Sequence, residues 1–494
     1  MFNTKQQLTA NKLLEFINQN THKIFYLIGF AGSGKTYTIS KITKKFLVDE
    51  LIENIYYCAP THKALKVLES YIKSNINASD KDLSNKIKFM TIHKLLEFKP
   101  IIQTETGSKV FKSTKESKFL KNISKNLVVI DECSMISQEM VDELNKYINL
   151  YPIKIIYMGD PKQLPPVGEV ESLIFSTIPN NYQYHIVLDE IMRTNSVDIK
   201  AVCSVIRNWN LNDQINQKLI DVFNNSTTRR FRMYHIRNDY NKSSWFKSFI
   251  KEIQNNEVPI ILTWKNSTSD YYNNIIRKFI HKSEEIDNYM INDYLMFNNY
   301  YASPENNESF FTSDMVKIIH TTTITKILYN WSEQLISKPK TDLDRNYNSL
   351  IRKISKLDNE FKINVLQVKR IQSDVVSSNN TDVHIIHVIT FSDLNRYREI
   401  LKNIKEQIES FYKRFRIDTI VSKLWDIYHT KLIEPYAEIN FGYSITSHKS
   451  QGSTYRSVYV DVKDICSNSN KTEMQKSLYT SAGRASERLG FMIE

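Results

Sequence analysis

The sequence predicts an α/β protein with two parallel sheets, each covered by helices on both faces. Short apolar runs alternate with helical segments over residues 23–158, and the same alternation returns at 258–280 and after 439. Continuous apolar strands alternating with helices are typical of parallel sheets that are buried on both sides. The chain has 494 residues, too many for a single hydrophobic core, so we expect more than one domain.

The first unit contains four predicted strands, each a short apolar run. These strands are residues 23–30 (KIFYLIGF), 54–60 (NIYYCAP), 127–130 (LVVI) and 153–158 (IKIIYM). Helices are predicted from Thr36, over 61–73 and from Ser137, since apolar residues there recur at helical spacing. This unit is predicted to be a first domain of residues 1–195.

The second unit begins with a strand at 258–264 and a helix at 269–280. It continues with strands at 439–446 and 457–462, a helix at 473–482 and a last strand at 489–493. The residues between the two parts are polar and rich in Asn. We therefore predict a second domain of residues 196–282 and 435–494, split by an inserted domain of residues 283–434.

Each domain is predicted to carry an insertion. Residues 98–111 (FKPIIQTETGSKVF), with a turn at 105–108, predict a β-hairpin within an insertion of about 97–122. In the larger insertion, apolar residues repeat at alternating spacings of three and four over 343–361 and 394–415. This heptad pattern favours two long helices packed together as an arm, with strands at 364–371 and 383–390 between them. Two amphipathic helices lying on different surfaces are the alternative.

The composition favours a polyanionic partner. Lys and Arg number 66 against 54 Asp and Glu, a net charge of +12, and such a surplus suits nucleic acid or a solvated Lys-rich surface. No stretch approaches 18 consecutive apolar residues, and the polar N-terminus is unlike a signal peptide. We therefore expect a soluble, intracellular protein without a membrane segment. The four cysteines are far apart, which argues against a disulfide framework.

Residues 29–36 (GFAGSGKT) fit the phosphate-binding pattern G-x-x-x-x-G-K-[ST] between a strand and a helix. The backbone amides of such a glycine-rich loop cradle phosphates at a helix N-terminus. Gly29, Gly32, Ser33 and Gly34 form the predicted cradle. Lys35 is predicted to reach the β- and γ-phosphates, and the Thr36 hydroxyl to bind Mg²⁺.

A phosphate loop of this kind needs a carboxylate for the metal and a base for the attacking water. Asp131 and Glu132 directly follow the strand 127–130. Asp131 is predicted to hold Mg²⁺ through water, and Glu132 to orient and deprotonate the attacking water. Arg193 and Arg484 are candidates for neutralising charge on the transferring phosphoryl group.

The order of motifs resembles superfamily 1 helicases of the 5′-to-3′ branch, which includes RecD and the phage Dda helicases. The resemblance covers almost the whole chain. Its segments are residues 2–6 (FNTKQ), GFAGSGKT, 58–68 (CAPTHKALKVL), 91–93 (TIH), VVIDECSM, 158–168 (MGDPKQLPPVG), LDEIMRTN, LTWKN, 446–452 (TSHKSQG) and 479–485 (YTSAGRA). Two positions depart from the family pattern: Gly483 stands where Ser or Thr usually precedes the last arginine, and Thr454 stands where Glu is usual.

The resemblance implies two RecA-like domains, with a duplex-splitting hairpin in the first and a small SH3-like barrel in the second. It implies that Gln6 reads adenine, that Gln163 senses the γ-phosphate and that Gly452 lies at the nucleotide. The residues implied to contact single-stranded DNA are Thr61, Lys63, Thr91, His93, Phe98, Asn266, His448 and Lys449.

The function implied is an ATP- and Mg²⁺-dependent DNA helicase that moves 5′ to 3′ and acts at duplex junctions, with unknown protein partners. A viral-type superfamily 1 RNA helicase is one alternative, although no Cys/His zinc module is visible. The other is a single-strand-binding protein that uses ATP only as a switch, although Glu132 favours hydrolysis.

Overall fold

A parallel six-stranded sheet organises the first part of the chain. In the computed structural model, the described residues are 2–74, 81–113, 125–166, 168–192, 194–211, 215–226, 228–235, 243–286, 288–305, 308–372, 375–376 and 383–493. The first elements are α1 (Thr4–Asn18), β1 (Ile24–Gly29), α2 (Lys35–Val48), β2 (Asn54–Ala59), α3 (His62–Ser74), α4 (Lys81–Asn85), β3 (Ile87–Thr91), α5 (Ile92–Leu95), β4 (Phe98–Ile102), β5 (Lys109–Ser113), β6 (Asn126–Ile130), α6 (Gln138–Leu150), β7 (Ile153–Gly159), α7 (Leu173–Ser176) and β8 (His185–Leu188).

The strand order of this sheet is β3-β2-β6-β7-β1-β8, and every pairing is parallel. Successive residues of β1 face opposite layers of helices: Phe25 and Leu27 join one apolar cluster, Tyr26 and Ile28 the other. Burial on both faces explains why the strand reads as a continuous apolar run. β4 and β5 pair outside the sheet as an antiparallel hairpin at the predicted place.

A second parallel sheet begins after residue 196. The elements before the insertion are α8 (Val197–Arg207), α9 (Ile215–Asn224), β9 (Phe231–His235), α10 (Ser244–Gln254), β10 (Ile260–Thr263) and α11 (Asn266–His281). The strand β9 and helices α8 to α10 carry no motif, and their positions were not predicted from the sequence.

The insertion is an antiparallel sheet with a helical layer. Its elements are β11 (Tyr294–Phe297), β12 (Tyr301–Ala302), β13 (Ser309–Phe310), β14 (Met315–Ile327), α12 (Asp342–Ser355), β15 (Glu360–Gln372), β16 (Val375–Val376), β17 (Val383–Ile389), α13 (Phe391–Phe415), α14 (Asp418–Ile427), a π-helical turn (Tyr428–Ile433) and β18 (Ile439–Phe441). The sheet order is β16-β15-β14-β11-β18, with β17 also paired to β15.

The chain then completes the second parallel sheet with β19 (Ser444–Thr446), β20 (Tyr455–Asp461), α15 (Val462–Cys466), α16 (Lys471–Ala482) and β21 (Ala485–Ile493). The strand order is β19-β10-β20-β21-β9, all parallel. The α/β class with two RecA-like parallel sheets is therefore confirmed.

The single strand predicted at 439–446 is wrong: it is two strands in different sheets. β18 pairs with β11 of the insertion, while β19 pairs with β10 of the second parallel sheet. Gly442 lies between the two strands, where a Cβ would come within 2.9 Å of the Met315 side chain. The apolar run continues through this change of sheet because both environments are buried, so periodicity could not reveal it.

The two helices predicted from the heptad pattern pack on one another, but the first is shorter than predicted: α12 ends at Ser355, and Phe361 lies in β15. The rings of Tyr347 on α12 and Phe411 on α13 lie 6.4 Å apart, and Ile354 and Ile404 belong to the same buried cluster. That cluster also holds Trp331, Trp425 and residues of β15 and α14. The helices therefore form one layer of a wider core, and a narrow two-helix seam is not what buries them. Among the described helices, none combines the length and apolar character needed to cross a membrane.

Candidate nucleotide and nucleic-acid sites

The phosphate loop turns from the central strand β1 into α2 and requires glycine at close approaches. Gly32 and Gly34 have φ angles of +74° and +80°, a region that favours glycine. A Cβ on Gly34 would come within 2.9 Å of Gln6 Nε2, and one on Gly29 within 2.7 Å of the Leu188 carbonyl oxygen. The loop is thus tightly seated, with its amides at the N-terminus of α2.

Two polar side chains of the loop are arranged as a phosphate site would require. Lys35 Nζ donates to the carbonyl oxygens of Gly29 and Phe30, at 2.9 and 3.0 Å. Ser33 is 3% exposed, and its Oγ has no hydrogen-bond partner among the described residues. A buried hydroxyl without a partner is costly unless a ligand satisfies it. The loop therefore fits a polyphosphate group.

Thr36, Asp131 and Glu132 meet beside this loop. Thr36 Oγ1 donates to Asp131 Oδ2 at 3.2 Å, and the Glu132 amide donates to Asp131 Oδ1 at 2.9 Å. Burial, reinforced by the neighbouring Glu132 charge, raises the pKa of Asp131 to about 6, while Lys35 opposes that shift. Hydroxyl and carboxylate oxygens are the ligands that Mg²⁺ prefers. The side chains of Thr36 and Asp131 therefore fit the metal of a metal–nucleotide complex.

A cavity of about 620 Å³ joins the predicted nucleotide residues from both parallel-sheet bodies. Its first-body lining includes Gln6, the phosphate loop from Ala31 to Thr36, Asp131, Glu132 and Gln163. Gly452 and Thr454 line it from the second body, and Met192 lies in the connection between the bodies. Gln6 is held in place by a reciprocal hydrogen-bonding pair with Asn3 at the start of α1.

Arg484 reaches the first body across this cleft. Its guanidinium is fully buried and donates to Gln163 Oε1, while two further bonds of 3.2 Å bind the Ser453 and Thr480 carbonyl oxygens. The structure thus brings Arg484 against Gln163, which lines the cavity. Arg193 lies outside the described residues.

A second buried cluster at the cleft includes two residues to which the sequence assigned no role. Arg207 donates to both carboxylate oxygens of Asp160, at 2.6 and 2.9 Å, and to Tyr479 Oη at 3.0 Å. Arg207 lies outside every recognised motif, so no sequence signal marks it. Tyr479 begins the last motif, and its place there was the only available signal.

Two of the predicted DNA contacts of the first body, Thr61 and Thr91, also act as helix caps. Thr61 Oγ1 accepts from the Ala64 amide at 3.2 Å, and Thr91 Oγ1 from the Lys94 amide at 3.3 Å. Thr91 is only 7% exposed. These threonines therefore fix the starts of α3 and α5, whatever else they contact.

His93 lies at the base of the hairpin formed by β4 and β5. Its ring is 5.6 Å from that of Phe98 and 5.3 Å from that of Phe111. Burial lowers the pKa of His93, which favours the neutral imidazole. Phe98 is buried and Phe111 is exposed. Phe98, the residue predicted to contact DNA, therefore anchors the hairpin, whereas the Phe111 ring is open to solvent.

Lys63 and Lys449, on different bodies, are bridged by the loop before β14. Lys63 Nζ donates to the Ser313 carbonyl oxygen at 3.1 Å, and Ser313 Oγ donates to the Lys449 carbonyl oxygen at 3.3 Å. Lys449 Nζ also donates to Asn298 Oδ1 at 3.1 Å. The insertion therefore lies directly against both lysines.

The other two predicted contacts of the second body differ in exposure. Asn266 is exposed at the first turn of α11. His448 is partly buried, which lowers the pKa of its imidazole, and it lines a small cavity with Pro165 and Pro166 of the first body.

The insertion also holds the tip of the hairpin. Trp425 Nε1 donates to the Thr104 carbonyl oxygen at 2.9 Å, and His429 Nε2 lies 2.8 Å from the Gly107 carbonyl oxygen. Gly107 has a φ of +65°, and a Cβ there would lie 2.6 Å from the Trp425 ring. Only glycine fits this close contact between the hairpin and the insertion.

Two family models match the chain, one in the first parallel-sheet body and one in the second. Residues 14–169 match an AAA domain, and residues 441–492 match the UvrD-like helicase C-terminal domain. The first match contains the phosphate loop, Asp131 and Glu132, and the second contains Gly452 and Arg484. The two matched segments therefore hold most of the residues that line the cavity, while Gln6 and Met192 lie outside both.

Two curated relatives match over nearly the full chain. Protein R530 of Acanthamoeba polyphaga mimivirus is 99% identical over 494 residues, covering 100% of both chains. Protein MJ1519 of Methanocaldococcus jannaschii is 24% identical over 97% of this chain, which spans 37% of the archaeal protein.

Solved structures of Pif1 helicases are similar at low identity. The Candida albicans Pif1 structure is 15% identical, with a TM-score of 0.45, covering 100% of this chain and 95% of that one. The Bacteroides Pif1 structure bound to single-stranded DNA is 14% identical, with a TM-score of 0.46, covering 99% and 92%.

Proposed function

We propose that this chain, which belongs to the superfamily 1 helicases of the 5′-to-3′ branch and to the family of R530, is an ATP-driven DNA helicase. It moves 5′ to 3′ on single-stranded DNA and unwinds duplexes at junctions. The observation that carries the proposal is the nucleotide cavity at the junction of two RecA-like bodies, because a nucleotide there contacts both. Its working parts are the two bodies and the insertion, with the predicted boundaries 1–195, 196–282 with 435–494, and 283–434, except that the insertion extends to Phe441 because β18 pairs with β11.

The side chains around the cavity divide the work of ATP hydrolysis. Gln6 contacts the adenine, the phosphate-loop amides and Lys35 hold the phosphates, and Ser33 Oγ gains the partner that it lacks. Thr36 and Asp131 would hold Mg²⁺, which would neutralise charge on the phosphates. Glu132 accepts the proton of the attacking water. Gln163 and Arg484 bring the second body to the transferring group, so hydrolysis depends on the relative position of the two bodies.

The proposed DNA path crosses both bodies and is defined by four of the predicted contact residues. Lys63 and His93 contribute from the first body, and His448 and Lys449 from the second. Lysines bind backbone phosphates as point charges, which gives grip without sequence preference. Because the bodies grip the strand separately, closure and opening of the nucleotide cleft move them along it in alternation.

The hairpin of β4 and β5 is proposed to split the duplex. Its tip is fixed to the insertion through Trp425, His429 and an ion pair between Lys109 and Glu434. These contacts support a bracing role, in which the insertion holds the hairpin against the force of the fork.

The decisive experiment measures ATPase and unwinding on 5′-tailed and 3′-tailed duplexes of DNA and RNA. We expect stimulation by single-stranded DNA and unwinding of the 5′-tailed DNA duplex. Preferential unwinding of RNA would favour the RNA helicase alternative. DNA-stimulated ATPase without unwinding of any substrate would favour an ATP-driven remodelling protein.

A further inference from the structure

A buried ion pair joins the two bodies beside the phosphate loop. Asp160 follows β7 of the first body and is fully buried, while Arg207 ends α8 of the second, its side chain 9% exposed. Arg207 and Asp160 lie outside the lining of the nucleotide cavity. We infer that Arg207 is a positioning residue, which holds the cleft in the arrangement that binds nucleotide by acting through Asp160 and Tyr479.

The cluster is connected to the phosphate loop by two contacts. Tyr479 Oη accepts from the Ala31 amide at 3.2 Å and donates to Asp160 Oδ2 at 2.8 Å. The Arg207 guanidinium carbon lies 3.9 Å from the centre of the Phe30 ring, within cation–π distance. Phe30 and Ala31 are the second and third residues of the phosphate loop, so the cluster contacts the backbone and side chains that shape it.

The end of α16 approaches the same point closely. A Cβ on Gly483 would come within 3.2 Å of the Ala31 Cβ, tighter than most Cβ contacts. This packing accounts for glycine at the position where related motifs have Ser or Thr. The glycine lets α16 bring Tyr479 against Ala31, so the departure from the family pattern belongs to the same cluster.

The geometry leads to a definite effect on binding. If nucleotide binds only when Arg207 and Tyr479 contact the first body, the apparent dissociation constant rises as that fraction of molecules falls. Planarity matters as well as charge, because the guanidinium both binds the carboxylate and stacks on Phe30. Loss of the contacts between Arg207, Asp160 and Tyr479 thus weakens nucleotide binding, while ATP hydrolysis in the fully bound state proceeds almost unchanged.

This inference rests on the proposed nucleotide site but not on unwinding, so its test measures binding of a fluorescent ADP analogue with Mg²⁺ to the full chain. We expect Arg207→Gln to raise the dissociation constant about tenfold, and the KM for ATP similarly, with kcat changed less than about threefold. Tyr479→Phe, which keeps the ring, should raise the dissociation constant about threefold. Arg456→Gln is the matched control, since Arg456 pairs with Glu487 within the second body, and it should leave binding unchanged.

The double variant Asp160→Asn with Arg207→Gln removes both charges together and guards against misfolding caused by an unpaired buried carboxylate. Its effect should be smaller than the sum of the single effects, because both residues act through one contact. A folded Arg207→Gln or Tyr479→Phe variant that binds ADP as the wild type does would overturn the inference. Wild-type ADP binding without any unwinding would instead count against the proposed function alone.

Discussion

The phosphate loop and the insertion differ in the sequence distance over which their residues meet. The phosphate loop is one run of eight residues, whose shape follows from its own glycines and the helix that it opens. The contact between Trp425 and Thr104 joins residues 321 positions apart. The comparison teaches that the phosphate-binding loop is encoded locally, whereas the contacts that join the two bodies, and those that join the hairpin to the insertion, depend on distant segments.

Lys35→Ala should produce the largest effect on the cleft. It removes the charge beside the phosphates, so ATP turnover should fall at least about a hundredfold. Single-stranded DNA binding should be largely retained, since the Lys35 ammonium donates to carbonyl oxygens of the phosphate loop, away from the proposed DNA contacts. Steady-state ATPase and fluorescence anisotropy with labelled DNA measure the two properties. Substantial turnover would refute the assignment of this loop.

Deleting residues 101–110 removes the hairpin tip and tests the contact between the hairpin and the insertion. DNA-stimulated ATPase should persist, because the cavity has no lining residue from the hairpin, while unwinding of a 5′-tailed duplex should be lost. A variant that unwinds normally would contradict the role of the hairpin in strand separation.

Glu132→Gln keeps the shape of the side chain and removes the base. We expect ATP binding to be retained and hydrolysis to fall about a hundredfold or more. Binding is checked with a fluorescent nucleotide and hydrolysis in a single-turnover experiment. Near-normal hydrolysis would mean that another group positions the attacking water.

Trp425→Phe should lower the unwinding rate about fivefold with little change in ATPase, because the hydrogen bond to Thr104 is lost while most of the ring remains. Trp331→Phe is the matched control: Trp331 is buried in the same cluster, and its Nε1 has no partner among the described residues. Equal effects of the two substitutions would indicate a general loss of packing and would count against bracing.

Lys63→Ala should have the smallest effect, about a threefold loss of affinity for single-stranded DNA. The slope of log affinity against log salt should become shallower by about 0.7, the value for one lost phosphate contact on single strands. Lys41→Ala removes the same charge from an exposed position on α2 and should leave the slope unchanged. An unchanged slope for Lys63→Ala would place this lysine off the DNA.

The sequence predicts the phosphate loop well because strand, loop and helix specify one another within a few residues. The sequence could not show that Phe98 is buried and Phe111 exposed, since alternation along a hairpin does not reveal which of its faces packs against the rest of the protein. Arg207 was missed because its partners Asp160 and Tyr479 are brought to it by folding alone. The run 439–446 was predicted as one strand because both of its sheets bury apolar residues, and only pairing distinguishes them.

The hairpin is attached at both ends: its strands belong to the first body, and its tip is bound to the insertion. β4 has five residues and spans about 17 Å at ~3.4 Å per residue. A rotation between the insertion and the first body would therefore act on the hairpin along this whole length, because the base of the hairpin belongs to the first body and its tip is bound to the insertion.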